Sequence, residues 1–213
     1  SVREPQWYGY KYGFNIHRAY EEYLYKKVKK GLESVGKPTN NLLLVVGQTG
    51  TGKSVSLAAV AYKIFQEKKY PVVFINDPDI NFYSKNEFKE KKVIKKGSAA
   101  FNALDHLLHE LENKGAKATL LIWDTSSYST GRQSIFRLYQ ALLARGRKVY
   151  VIGTAYEINE TSMNTNNKDM YDEDSWMNKK FIECKAKVDV ESEIEDLQSI
   201  LVNRCNLTKK NVD

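Results

Sequence analysis

The sequence predicts an α/β fold of three layers, helix–sheet–helix, around a mainly parallel five-stranded sheet, with a helical arm at its N-terminal end. Two observations carry this. Short apolar runs alternate with stretches whose apolar residues recur at helical spacing, in the order βαβαβαβα. The first run, Leu42–Val46, passes directly into a glycine-rich loop that opens a helical pattern. Right-handed crossovers between parallel strands then gather the strand C-termini, and with them the ligand, on one edge. The boundaries that follow are an arm and helix over residues 1–40, packed on a core over residues 41–213.

Each element has its own justification. Residues 1–16 are rich in glycine and aromatics (Trp7, Tyr8, Tyr10, Tyr12, Phe14) and read as an irregular arm lying on a domain. From His17 to Ser34 a helix is expected, with Ala19, Tyr20, Tyr23, Leu24, Val28 and Leu32 as its apolar stripe. Its other face is basic, with Lys26, Lys27, Lys29 and Lys30. A break at residues 36–40 precedes the first strand. Leu42–Val46 is uninterrupted and apolar, as a strand buried on both faces should be. The helix after the glycine loop runs to Lys69, and residues 70–77 form a second strand ending near Asp77 and Asp79. Residues 80–99 are lysine-rich and give no clear period. A helix over Ala100–Asn113, a strand over Ala118–Asp124 and a helix capped by Ser129 or Thr130 and ending at Arg145 come next. A fourth strand covers Val149–Thr154, an exposed loop residues 157–178, a fifth strand Phe181–Val188. An acidic helix beginning at Asp189 or Ser192 closes the pattern.

The loop carries chemistry. Gly47, Gln48, Thr49, Gly50, Thr51, Gly52, Lys53 and Ser54 satisfy G-x-x-x-x-G-K-[ST] at every fixed position, between a strand and a helix. The three glycines permit backbone conformations that a Cβ opposes, and turn several N–H groups onto one anion. The helix that starts near Lys53, with Val55 in its first turn, adds its N-terminal N–H groups and dipole. Lys53 is the candidate for the β- and γ-phosphates, its ammonium facing solvent until phosphate arrives. Ser54 is the candidate for Mg²⁺. An accidental Lys-Ser after a glycine turn is the competing reading, and the flanking strand and helix weigh against it. The fold expected is therefore that of a P-loop NTPase.

Composition sets the outer limits. The 213 residues are 42% hydrophobic and 12% aromatic, enough for a core and too apolar for wholesale disorder. The net charge of +7 admits a nucleic-acid partner, although the excess sits in short lysine clusters such as Lys91, Lys92, Lys95 and Lys96. Cys184 and Cys205 have no C-x-x-C partner, which disfavours zinc and suits a reducing, cytoplasmic setting. No apolar run approaches the roughly 18 residues of a membrane span, and no signal peptide precedes Trp7.

Leu120–Asp124 is an apolar strand ending in an acid, the pattern of a Walker B aspartate that shares Mg²⁺ with Ser54. Thr125 follows, where many ATPases have a second acid to position water. Asp77, Asp79 and Glu157 are candidate substitutes for that base. Arg145 and Arg147, at the end of the helix before the fourth strand, are candidates to reach a neighbouring molecule's site, with a solvated helix C-terminus as the favoured reading of both. Thr154, at the end of the fourth strand, looks like the sensor residue of AAA+ and STAND ATPases. Residues 14–24, Phe-Asn-Ile-His-Arg-Ala-Tyr-Glu-Glu-Tyr-Leu, are similar to the segment of those families that places Gly-Arg before Glu and Leu. His17 stands where glycine is usual, and no arginine directly follows Thr154.

Taken together the chain resembles, from Phe14 onward, the NTPase module of STAND proteins, including those of bacterial antiviral defence. The resemblance implies adenine contacts at Ile16, His17 and Arg18, and roles in turnover for Lys53, Asp124 and Thr154. It implies ATP and Mg²⁺ as ligands and an oligomeric switch joined to effector and sensor regions. Guanine is disfavoured because Asn167-Lys168-Asp169 is one residue short of N-K-x-D. The alternatives are a nucleic-acid-associated AAA+-like ATPase (a helicase loader, transposition helper or DNA motor) and, last, a small-molecule kinase.

Overall fold

The computed structural model describes residues 18–37, 41–48, 51–75, 80–82, 97–125, 131–155, 182–185 and 190–204. Along them run α1 (Ala19–Ser34), β1 (Leu42–Val46), α2 (Lys53–Gln66), β2 (Val72–Ile75), α3 (Ala99–Asn113), β3 (Thr119–Trp123), α4 (Gly131–Ala144), β4 (Val149–Ala155), β5 (Ile182–Lys185) and α5 (Val190–Arg204). The expected arm over residues 1–16, the lysine cluster, the loop at 157–178, Ser129, Thr130 and Cys205 lie outside the described residues.

The five strands form one sheet in the order β2-β3-β4-β1-β5, and every pairing is parallel. All strand C-termini therefore share one edge, as the element order required. β1 is flanked by β4 and β5, and β4 separates it from β3.

Every residue of β1 is at 0% exposure, which explains its unbroken apolar run. Alternate side chains feed two cores. Leu42, Leu44 and Val46 join Phe101 and Leu108 of α3 and Ile135, Leu138 and Leu142 of α4. Leu43 and Val45 join Leu24, Val28 and Leu32 of α1 and Leu57, Val60 and Ile64 of α2. Each fully buried Leu or Val contributes about 1.5–3 kcal/mol of burial. Helices thus cover both faces, α1 and α2 on one, α3 and α4 on the other.

Element ends differ from expectation for local reasons. α2 stops at Gln66, because Lys68 turns into the left-handed region at φ 55° and its N–H donates to Phe65 O (3.1 Å). α3 gains a cap the sequence did not announce: Ser98 Oγ accepts from Phe101 N at 3.2 Å. The unplaced stretch before it holds Phe82, which is 1% exposed and packs edge-on to Trp123 with ring centres 4.9 Å apart.

Gly31 seats α1 on the sheet. A Cβ there would lie 2.1 Å from the Tyr150 ring, so a helix-weakening glycine is what allows the helix to approach this closely. Tyr150 is 1% exposed, and its phenol is pushed up from 10.0 to about 12, first by burial and then by Tyr139. The neutral form is the one the fold favours. Its contribution to stability is intact below pH 10 and is lost as pH rises towards 12, about 2–3 kcal/mol in all. Urea unfolding of the parent and of Tyr150→Phe should therefore show a shallower alkaline loss for the variant over that window. Equal losses would contradict the assignment.

Candidate functional site

β3, β4 and β1 end together, and the register decides what meets there. Val46 pairs with Ala155 and Trp123 with Gly153, so Thr154 comes level with Asp124. Thr154 Oγ1 donates to Asp124 Oδ1 at 2.8 Å and accepts from the backbone N–H of Thr125 at 2.9 Å. Thr125 Oγ1 donates in turn to the Thr154 carbonyl at 2.6 Å. The three residues are 0%, 9% and 2% exposed for Thr154, Asp124 and Thr125, so these bonds act in a low dielectric. Thr125 has one hydroxyl proton, and the sheet backbone takes it. The Thr125 side chain thus ties the end of β3 to that of β4.

The loop lies beside this cluster. Gly47 N–H donates to Ala155 O at 3.3 Å, tying the loop's start to the end of β4. Gly52 has φ 76°, a conformation that side chains resist, and its carbonyl accepts the Ser56 N–H of α2 at 2.9 Å. Thr51 Oγ1 donates to Gln48 O at 2.8 Å. Thr49 and Gly50 are outside the described residues.

Lys53 corrects the sequence expectation. Its residue is 5% exposed, not solvent-facing. The ammonium folds back and donates to the carbonyls of Gly47 and Gln48, both at 2.8 Å. Burial lowers its pKa and the Asp124 carboxylate opposes that shift, which places the two charges within electrostatic reach. Ser54 and Val55 are exposed at the start of α2. The Ser54 hydroxyl and the Asp124 carboxylate are hard oxygen donors of the kind Mg²⁺ takes alongside phosphate and water. No group of three His, Cys, Asp or Glu side chains able to hold a metal ion occurs among the described residues, and Mg²⁺ at a phosphate site requires none.

Arg18 is the N-cap residue of α1, and its guanidinium lies over the loop: a Cβ on Gly52 would sit 2.5 Å from Arg18 Cζ. Ile16 and His17 fall outside the described residues, as do Asp77, Asp79 and Glu157. Sequence reasoning missed Tyr20 and Ser56, whose hydroxyls meet beside the loop at 2.6 Å. Tyr20 read as part of an apolar stripe, and nothing marks Ser56 in the sequence. Arg145 and Arg147 belong elsewhere. They sit where α4 enters β4, at the opposite edge of a parallel sheet, and both hold Asp105 (Arg145 Nη1 at 3.2 Å, Arg147 Nε at 2.6 Å). Arg147 also pairs with Glu112 at 3.2 Å. Their role here is to join α3 to the α4–β4 turn.

Residues 1–133 match the model of the family described as Novel STAND NTPase 5. This chain belongs to that family. Among solved structures, domain III of the Thermotoga maritima replication initiation protein DnaA is similar at 14% identity and TM-score 0.51, over 96% of this chain and 78% of that one. Trip13 from Rhizobiales is similar at 11% identity and TM-score 0.51, over 98% and 77%. AMPPCP-bound DnaA from Aquifex aeolicus matches at 17% identity and TM-score 0.45, over 93% of this chain and 56% of that one. The chain thus spans about half the length of that last protein. At these identities the likeness is one of fold. No curated protein matches the sequence. The STAND NTPase is thus a nucleotide-binding α/β module, and no helix among its described residues is long and apolar enough to cross a membrane.

The Thr154 bonds can be tested directly. Thr154→Val keeps the branched shape but strands the buried Thr125 N–H, and should cost about 1–3 kcal/mol in urea unfolding. Thr154→Ser should recover most of it. An unchanged midpoint for Thr154→Val would show that the bonds do not hold the strand ends.

Proposed function

We propose that this STAND NTPase is an ATP-binding regulatory module that hydrolyses slowly, its nucleotide state controlling self-association within a signalling or defence protein. The observation that carries the reading is the meeting of the Gly47–Ser54 loop with the buried Asp124–Thr154 pair on one sheet edge. In this reading the loop N–H groups and Lys53 hold the phosphates, and the ammonium exchanges two carbonyls of its own loop for phosphate oxygens. Ser54 and Asp124 would hold Mg²⁺, while Thr154 orients the aspartate. The family resemblance implies adenine contacts at Ile16, His17 and Arg18. Bound Mg²⁺ supplies charge neutralisation at the phosphates.

Slow turnover is supported by Thr125, whose hydroxyl is held by the Thr154 carbonyl. A water without a positioned base forgoes the roughly 10² to 10⁴-fold of general-base catalysis. A module of this kind keeps its triphosphate long enough for the bound state to act as a signal. The arm over residues 1–40 and the core over residues 41–213 would act as one unit, in a cytoplasmic setting, with effector and sensor regions as partners.

Lys53→Ala should still fold, with some loss of stability because the Gly47 and Gln48 carbonyls lose their donor, and bind ATP on the order of a hundredfold more weakly, because it removes a charge-assisted donor to phosphate. Calorimetry with ATP and GTP, with and without Mg²⁺, reads this. ATP binding equal to the parent's, or a clear preference for GTP, would overturn the proposal. Sedimentation with ATP, ADP and no nucleotide tests the switch. The ATP form should differ from the other two in oligomeric state, and identical behaviour in all three would remove the regulatory reading.

A further inference from the structure

The start of α1 touches the phosphate loop and the helix that follows it through Arg18, Tyr20 and Glu21. Arg18 lies on Gly52, with Cζ 2.5 Å from where a Cβ would stand. Tyr20 Oη donates to the carbonyl of Thr51 at 3.5 Å, a long bond, and lies 2.6 Å from Ser56 Oγ. Glu21 is 3% exposed, and its Oε1 lies 3.0 Å from the same Ser56 hydroxyl. Ser56 is itself at 0% exposure, one turn into the helix that Lys53 begins. It has a single proton to donate, so Tyr20 and Glu21 share one hydroxyl as a hub.

A buried carboxylate on a helix surface is costly unless it is bonded, and this one is bonded to the helix that opens the phosphate site. The alternative use of these side chains, simple packing of α1 on α2, is already met by Leu24, Val28 and Leu32 against Leu57, Val60 and Ile64. Those apolar contacts need no hydroxyl or carboxylate. Further along, α1 meets α2 through more exposed pairs, Glu22 with Lys63 and Lys29 with Glu67; the buried polar group of Glu21 and Ser56 sits where α1 meets the loop, beside Thr51 and at the helix start.

We infer that Tyr20 and Glu21 are positioning residues for the phosphate loop, acting through Ser56 and the Thr51 carbonyl. The docked first turn of α1 holds Thr51, Gly52 and the start of α2 in the shape that receives a polyphosphate. A force or partner that lifts α1 then weakens phosphate binding, and a bound polyphosphate tightens α1. This deepens the nucleotide reading above and rests on it for the identity of the ligand.

The test uses the full chain with ATP, tripolyphosphate and AMP as probes, each with Mg²⁺. Tyr20→Phe keeps the ring and removes the hydroxyl, and Ser56→Ala removes the hub. Each should weaken ATP and tripolyphosphate in parallel by roughly fivefold, the equivalent of one net hydrogen bond. AMP binding should be unchanged. A purely structural role would lower the urea midpoint and leave the ratio of tripolyphosphate to AMP affinity untouched, which would overturn the inference. So would equal loss for AMP and ATP, since that places Tyr20 on the base. Because tripolyphosphate carries no base, a parent that prefers GTP would sink the ATP assignment while this comparison still decides the clamp.

Discussion

A strand whose five side chains all stand at 0% exposure has to be covered on both faces, and β1 meets that condition only as an interior strand of the sheet. Much else depends on it. Burial fixes the end of β1 between β4 and β5, and so fixes where Gly47 begins. The loop is then short enough to return at once as α2, which covers one face of the same strand through Leu57, Val60 and Ile64. The phosphate loop is held in place by the hydrophobic core, and its own hydrogen bonds only shape it.

The second dependence is the placement of β4 between β1 and β3. That order sets Thr154 beside Asp124 and binds the loop's first N–H to Ala155 O at 3.3 Å. A parallel pair has evenly spaced bonds, so a register fixed anywhere along β3 and β4 is fixed at their ends. The Thr125–Thr154 exchange of a side-chain and a backbone bond then locks that end. In this arrangement a hydroxyl after the aspartate is a structural asset, because it gives a buried carbonyl a donor. An acid at the same position would bring a second buried charge next to Asp124 and offer that carbonyl no proton while ionised.

The N-terminal helix belongs to the site as much as to the core. Its apolar stripe packs on the sheet, Gly31 lets it come close to Tyr150, and its first turn rests on the loop. Packing along the helix therefore sets the height at which Arg18, Tyr20 and Glu21 meet the loop. The family match over residues 1–133 includes this helix together with the loop and Asp124.

What the amino-acid sequence determined alone was local or periodic. Leu42–Val46 was legible as a doubly buried strand because such a strand needs no polar alternation, and the loop because its glycines and Lys53 follow one another directly. Helical stripes such as Leu104 and Leu108 were legible for the same reason. Three things depended on residues far apart in the chain. Lys53 is buried because loop carbonyls and Asp124, more than seventy positions away in the sequence, surround its ammonium. Arg145 and Arg147 form an ion-pair cluster with Asp105 that no spacing announced, because tertiary packing sets the α4–β4 turn against α3. Tyr20 and Ser56 carried no signal, since a hydroxyl's partner is set by tertiary approach and not by spacing. Periodicity reports which face of an element is dry; only the packed chain decides which polar groups meet there, because each bond needs both partners within about 3 Å.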